Sequence, residues 1–189
     1  DLSPFYNALP FTLTDAQQAA IREILADFSK GEPMNRLVQG DVGCGKTMVA
    51  AAAAYATAIN GRQSALMAPT QILAEQHHAS LSKLFAPMGI RVGLLTGSMT
   101  PKQKKILREQ LASGEIQLAV GTHALLSQAT VFQDLGLVIT DEQHRFGVGQ
   151  RAQLSSKGSD PHLLVRSATP MPRTLALLLY GDLDVSIIN

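Results

Sequence analysis

The chain has 189 residues, of which 46% are hydrophobic, and its formal net charge at pH 7 is +1. The length suffices for one α/β domain with a buried core, and the hydrophobic content excludes an intrinsically disordered chain. The small net charge gives no overall basic field of the kind that indicates nucleic-acid binding. A single cysteine, Cys44, excludes an intramolecular disulfide and suits the cytosol. No apolar run reaches membrane-spanning length and the first residues lack a signal-peptide pattern, so we expect no membrane partner.

Apolar runs alternate along the chain with helical patterns. In chain order, the pattern predicts a strand at 36–39, a helix at 47–60 that Gly61 ends, a strand at 64–68 and a helix at 71–85. A strand at 92–95 and a helix at 101–113 follow, and then strands at 117–120, 137–140 and 163–165. The last predicted helix runs from about 172 to Gly181, before an apolar run at 185–188. Strands that alternate with helices predict parallel pairing and a doubly wound sheet. Because there is no internal repeat and no low-complexity linker, we expect one domain.

The strongest chemical signal is a complete GxxxxGK[ST] motif between the first strand and the helix after it. It reads Gly40-Asp41-Val42-Gly43-Cys44-Gly45-Lys46-Thr47. Glycines let the backbone turn tightly so that successive N–H groups face a phosphate chain, and the helix start adds its positive dipole end. We expect Lys46 to reach the β- and γ-phosphates and the Thr47 hydroxyl to ligate Mg²⁺. The alternative is a glycine-rich turn that binds nothing.

The second signal is a pair of adjacent carboxylates, Asp141 and Glu142, directly after an apolar strand. Ligands of open α/β sheets bind at the carboxyl ends of the strands, which is where this pair lies. Asp141 is suited to hold Mg²⁺ and Glu142 to polarise the attacking water. Alone, such a pair is often a solvated loop, but beside a phosphate loop it predicts hydrolysis of a nucleoside triphosphate.

Five segments together give the chain a family resemblance. They are 40–47, 67–77 (Met-Ala-Pro-Thr-Gln-Ile-Leu-Ala-Glu-Gln-His), 120–124 (Val-Gly-Thr-His-Ala), 141–148 (Asp-Glu-Gln-His-Arg-Phe-Gly-Val) and 167–174 (Ser-Ala-Thr-Pro-Met-Pro-Arg-Thr). The chain resembles the first motor domain of superfamily 2 DNA helicases, most closely the RecG family. The related transcription-repair coupling factor usually has Asp-Glu-Glu-His, so Gln143 favours RecG. The resemblance implies a three-layer, RecA-like P-loop NTPase fold with a mostly parallel sheet, and ATP-driven remodelling of branched DNA in recombination and repair.

The resemblance also implies roles for residues outside the two motifs. Residues Phe11, Leu13 and Gln17 match an adenine-reading element, where an aromatic face and an amide suit the base. The alternative, compatible with it, is a helix that starts with a Thr14 N-cap. Coupling of hydrolysis to DNA engagement is implied for four residues, His144, Ser167, Ala168 and Thr169. Here the alternative is a polar network that only braces two loops.

Contacts with the DNA backbone are implied for five residues after successive strands, namely Thr70, Thr96, Gly97, Thr122 and His123. Small polar groups there can meet phosphates without reading sequence. The alternative for each is an ordinary helix cap. A basic cluster, Lys102, Lys104, Lys105 and Arg108, indicates a solvated helix face rather than a DNA track.

The family pattern sets an expectation for the domains. Residues 1–189 match the ATP-binding RecA-like domain, with 1–34 as a lead-in, whereas a second RecA-like domain and a branch-recognising wedge domain are expected outside the chain. In isolation we therefore expect weak hydrolysis, unless Arg145, Arg151 or Arg173 supplies positive charge in cis. The implied location is the bacterial cytoplasm, at the nucleoid. A different P-loop enzyme would need a base-reading Asn-Lys-x-Asp or a transporter signature, which the sequence lacks; a vestigial nucleotide pocket is the remaining alternative.

Overall fold

The computed structural model describes residues 2–9, 11–40, 45–141, 148–167 and 184–188, with only the backbone at 141 and 148–151. In these ranges there are six α-helices: α1 (Ser3–Ala8), α2 (Asp15–Phe28), α3 (Lys46–Ile59), α4 (Gln71–Phe85), α5 (Pro101–Ala112) and α6 (Val148–Ser155). The strands are β1 (Asn35–Gln39), β2 (Gln63–Met67), β3 (Val92–Leu95), β4 (Leu118–Gly121), β5 (Leu135–Asp141), β6 (His162–Ser167) and β7 (Asp184–Ile187). Short 3-10 helices lie at Ala86–Met88 and His123–Leu126.

The seven strands form one sheet in the order β3-β4-β2-β5-β6-β1-β7, and every described pairing is parallel. Side chains alternate between two cores. On one face Leu66, Leu137 and Ile139 pack with α2, α3 and α4, and on the other Met67 and Val138 pack with α5 and α6. The predicted α/β fold with a parallel sheet between helical layers is therefore confirmed. Within the described ranges, no helix is long and apolar enough to cross a membrane.

Most predicted element boundaries agree with the structure to within two residues. The predicted helix 71–85 and strand 92–95 have the same bounds as the observed α4 and β3. Gly61 follows the end of α3 with φ +80°. The sequence pattern does not predict α1, the full extent of α2, or α6. The predicted helix at 172–181 lies outside the described residues.

The alanine-rich helix α3 lies deep in the molecule. Every residue from 49 to 57 is buried, because small side chains let the helix backbone approach the sheet closely. The short helix α1 is fixed onto this layer by Phe5, whose ring centroid lies 5.7 Å from that of Tyr55 and 6.4 Å from that of Phe85. The N-terminal lead-in is thus packed against the same core that supports the phosphate loop.

A buried arginine ties α2 to the far edge of the sheet. Arg36 of β1 donates to both carboxylate oxygens of Asp27 (2.6 and 3.2 Å) and to the Ser186 hydroxyl of β7 (2.9 Å). Burial by itself raises the pKa of Asp27, but hydrogen bonds from Arg36 and Lys30 outweigh it and hold that pKa below its ordinary value. Since a buried charge without a partner is costly, removal of either Arg36 or Asp27 alone would destabilise the edge at which β1 and β7 meet.

The stability of the fold should depend on the protonation of His162, at the start of β6. Its Nδ1 accepts a hydrogen bond from the Met34 backbone N–H (2.7 Å), and its ring stacks on Phe28 with centroids 4.5 Å apart. Burial, and then the Arg62 guanidinium, hold the pKa of His162 below its ordinary 6.5, while Asp27 acts in the opposite direction.

We predict that the free energy of unfolding declines as the pH falls below about 6.5, because the unfolded chain then takes up a proton that the folded His162 resists. The measurement is urea unfolding between about pH 7.5 and pH 5. His162→Asn offers a non-titrating acceptor to Met34 and should flatten this dependence. An equally steep pH dependence in the variant would contradict the assignment.

Candidate functional site

The phosphate-loop motif spans the end of β1 and the start of α3. Of its residues, 41–44 (Asp41, Val42, Gly43 and Cys44) lie outside the described residues. Gly45, the N-cap of α3, has φ +84°, a left-handed conformation that favours glycine. Lys46 opens the helix, and its Nζ donates to the backbone oxygen of Gly40 (2.6 Å), which brings the ammonium group back to the first residue of the loop. This hydrogen bond joins the two ends of the phosphate-loop motif.

Gln17 connects the predicted adenine element to the phosphate loop. Thr14 and Gln17 form a capping box at the start of α2, in which Gln17 Oε1 accepts from the Thr14 backbone N–H (2.8 Å) and the Gln17 N–H donates to Thr14 Oγ1 (3.1 Å). The predicted N-cap is confirmed. A Cβ at Gly45 would overlap the Gln17 amide nitrogen. Gln17 is therefore buried directly against the loop, which the sequence interpretation did not foresee.

The other two residues of the adenine element, Phe11 and Leu13, line a cleft of about 760 Å³ beside α2. Leu13 is buried, whereas half of the surface of Phe11 is exposed (50%). Gln18 and Arg22 line the same cleft and are not among the residues predicted from the sequence. Their spacing of four residues on an amphipathic helix places them on one face and was the available signal.

The acidic strand reaches the same edge of the sheet. The backbone of Asp141 ends β5 and is paired in register with Arg166 of β6, while Ser167 of β6 is paired with Gln39 of β1. The Gly40 N–H donates to the Ser167 backbone oxygen (3.0 Å). β6 therefore lies between the strand that precedes the phosphate loop and the strand that carries the carboxylates. The side chain of Asp141 and all of Glu142, His144, Ala168 and Thr169 lie outside the described residues.

Arg166 is a site residue that the sequence analysis overlooked. It is buried (8% exposed), and its Nη1 donates to the Thr47 hydroxyl oxygen (3.3 Å). A guanidinium at this position places positive charge next to the predicted phosphate and metal site. The sequence signal was its place directly before Ser167, at the end of a strand that neighbours the acidic strand.

The five residues predicted to meet DNA lie along the other half of the same edge. They follow β2, β4 and β3, which are consecutive in the sheet. A Cβ at Gly97 would lie 3.9 Å from His123 Nε2, so the loops after β3 and β4 meet. Thr70, Gly97 and His123 are exposed, and Thr70 Oγ1 caps α4 by accepting from the Leu73 N–H (3.2 Å). The hydroxyl-bearing residues Thr96 and Thr122 are buried, at 2% and 6% exposure.

Comparison with known proteins gives concordant matches. The model of the DEAD/DEAH box helicase family matches residues 14–178. The chain is 56% identical over 189 residues to the ATP-dependent DNA helicase RecG of Bacillus subtilis, and 56% identical over 183 residues to that of Aquifex aeolicus. These matches cover 100% and 96% of the chain, but 28% and 23% of the relatives.

A solved structure of RecG bound to a three-way DNA junction shares the fold. It superposes with a TM-score of 0.86 at 45% identity, covering 98% of this chain and 25% of that one. The chain thus spans about a quarter of the length of the relatives that it matches. The predicted RecA-like helicase fold is confirmed by this match.

The contact between Gly45 and Gln17 yields a prediction with a matched control. Gly45→Ala should lower the stability by about 1–2 kcal/mol through its positive φ, and should weaken nucleotide binding at least about tenfold because the new methyl group displaces Gln17. Gly61→Ala carries the same backbone penalty (φ +80°), but its methyl group meets nothing within 4 Å. Calorimetric titration with a nucleotide should therefore separate the two variants, and equal affinities would show that Gln17 does not support the loop.

Proposed function

The chain belongs to the DEAD/DEAH box helicase family, and from that premise we propose that it is the ATP-binding motor segment of an ATP-dependent DNA helicase of the RecG type. The observation that carries this proposal is the position of β6, which joins the strand of the phosphate loop to the strand of the acidic pair. A nucleotide held at this edge has the phosphate cradle on one side and the carboxylates on the other. The coupling residue Ser167 lies between them.

The proposed cofactors are ATP and Mg²⁺, and the described residues fit both. Lys46 supplies an ammonium group at the loop, and the α3 helix start supplies backbone N–H groups for phosphate oxygens. Thr47 and Asp141 offer a hydroxyl and a carboxylate, the oxygen donors that Mg²⁺ prefers. The bound metal would neutralise charge on the β- and γ-phosphates. Arg166, at 3.3 Å from Thr47 Oγ1, fixes the hydroxyl and adds positive charge.

Within this site we propose Glu142 as the group that orients the attacking water and accepts its proton. Phe11 and Leu13 are proposed to hold the adenine in the cleft that they line, with Phe11 against the ring face. Gln17 is buried against Gly45, and its amide oxygen accepts a hydrogen bond from the Thr14 backbone N–H. Because its side chain contacts both the start of α2 and the loop, we propose that Gln17 links occupancy of the base site to the shape of the phosphate loop.

For the nucleic-acid partner we propose DNA, including branched duplexes such as forks and junctions. Support comes from the second half of the sheet edge, where Thr70, Gly97 and His123 are exposed after three neighbouring strands. Backbone N–H groups and short side chains there suit phosphates and do not read sequence. Thr96 and Thr122 are buried, so we propose that they shape these loops while their neighbours contact the DNA.

Coupling of the two halves follows from their shared edge. We propose that His144, Ser167, Ala168 and Thr169 relay occupancy of the nucleotide site to the DNA loops, since β5 is hydrogen-bonded to both β6 and β2. The relatives are about four times longer than this chain, and we propose that a second RecA-like domain in cis closes on the nucleotide. Such closure would add positive charge to the transition state and turn each cycle of hydrolysis into movement.

The two carboxylates should separate in a pair of variants. On this chain, Glu142→Gln should leave binding of ATP with Mg²⁺ within about twofold of the wild type, whereas Asp141→Asn should abolish most of the Mg²⁺ dependence of binding. In a longer protein that carries both RecA-like domains, Glu142→Gln should lower DNA-stimulated phosphate release by at least about a hundredfold, a typical loss for a general base. Normal turnover in the Glu142 variant would place the base elsewhere.

A further inference from the structure

A groove that the sequence did not reveal runs along helix α5. It lies between that helix and the segment 129–131, with a volume of about 610 Å³, and is open to solvent along its length. Its lining residues are Pro101, Lys104, Lys105, Arg108, Glu109, Ala112, Ala129 and Val131. The sequence predicted only a solvated helix face here. The structure instead shows a shallow, open groove in which three basic side chains border a mainly apolar floor.

The charge in this groove is not compensated by nearby carboxylates. Three cations, Lys104, Lys105 and Arg108, face a single acidic lining residue, Glu109. In the ranges that the structure describes, none of these cations forms an ion pair, whereas Arg36, Arg62 and Arg91 elsewhere each have a carboxylate partner. An anion that enters the groove can therefore interact with these cations without first displacing a carboxylate.

Hydrogen bonds fix the segment 129–131, which forms the wall of the groove opposite α5. Thr130, fully buried, receives a hydrogen bond from Arg108 Nε (3.2 Å) and donates its own to the Ala124 backbone oxygen (3.3 Å). Lys157 Nζ donates to the backbone oxygens of Ser127 and Thr130 (2.8 and 2.7 Å). Burial, and then the nearby Arg108 charge, lower the pKa of Lys157. The groove is thus preformed, and binding need not order the segment around Thr130.

The groove also continues the surface that we propose for DNA. Helix α5 begins at Pro101, directly after the loop that carries Gly97, and Thr100 caps it in a capping box with Gln103. Gly97 and His123 are neighbours at the head of this path, since a Cβ at Gly97 would lie 3.9 Å from His123 Nε2. From Pro101 to Ala112 the helix extends about 16 Å, long enough to follow several phosphates of one strand.

We propose that this groove binds the phosphodiester backbone of DNA and extends the contact surface from the loops after β3 and β4 along α5. This inference rests on the proposed function. Lys104 and Lys105 would contact phosphates, Arg108 would hold the wall and add charge, and Val131, 55% exposed, would contact a sugar. Lysine contacts to phosphates do not read sequence, so this binding should be insensitive to base composition. An acidic peptide is the competing occupant, but the floor of alanines and one valine offers little anchorage for side chains.

The test is a double variant, Lys104→Gln and Lys105→Gln, compared with Lys83→Gln and Lys102→Gln. Each pair removes two charges from exposed or half-exposed helix positions, and neither Lys83 of α4 nor Lys102 of α5 lines the groove. Binding of a labelled duplex is measured by fluorescence anisotropy over a range of salt concentrations. Thermal unfolding and nucleotide affinity of each variant show that the fold and the nucleotide site are retained.

We expect the groove variant to lose about tenfold or more in DNA affinity near 0.1 M salt and to reduce the salt slope by about two, one per phosphate contact. The control pair should change affinity by less than about twofold. Equal losses in both variants would overturn the groove while leaving the proposed function intact. Absence of DNA binding by the wild type would overturn both. Groove-dependent binding of a labelled poly-glutamate peptide, with duplex binding unchanged, would assign the groove to an acidic protein partner instead.

Discussion

The arrangement of the site depends on one constraint, the parallel pairing of all described strands in the order β3-β4-β2-β5-β6-β1-β7. Parallel pairing puts the carboxyl end of each strand at the same edge, so every loop that follows a strand opens on one surface. The insertion of β6 between β5 and β1 then fixes the distance between the phosphate loop and the acidic pair. A hydrogen bond from the Gly40 N–H to the Ser167 backbone oxygen joins the ends of β1 and β6 at this edge.

The same order divides the edge into two halves with different chemistry. The half formed by β5, β6 and β1 carries the phosphate-loop lysine, the Thr47 hydroxyl and a buried arginine, whereas β2, β4 and β3 carry small polar groups and an exposed histidine. The β2–β5 pairing is the only seam between the halves in the described sheet. We therefore propose this seam as the route by which changes at the nucleotide site would reach the loops proposed for DNA. Met67 is paired there with Thr140, directly before Asp141.

The sequence predicted the periodic elements and the motifs well because their causes are local. A capping box at Thr14, a glycine in the left-handed region at Gly61 and alternating apolar strands each act over a few residues. Three features join residues that are far apart in the chain, so no local pattern predicts them. They are the contact between Gln17 and Gly45, the hydrogen bond from Arg166 to Thr47 and the groove along α5. The burial of Thr96 and Thr122 likewise depends on how the loops after β3 and β4 pack.

The central claim is that Lys46 and its loop bind the phosphates of ATP. Calorimetric titration of the chain with ATP and Mg²⁺, repeated with Lys46→Ala, tests it most directly. Lys46 contributes little to the core, so the variant should keep its circular dichroism spectrum and its cooperative unfolding. We expect that the wild type binds ATP and that the variant loses at least about tenfold in affinity, as is typical of a lost hydrogen bond to a charged group. Unchanged affinity in a folded variant would contradict it.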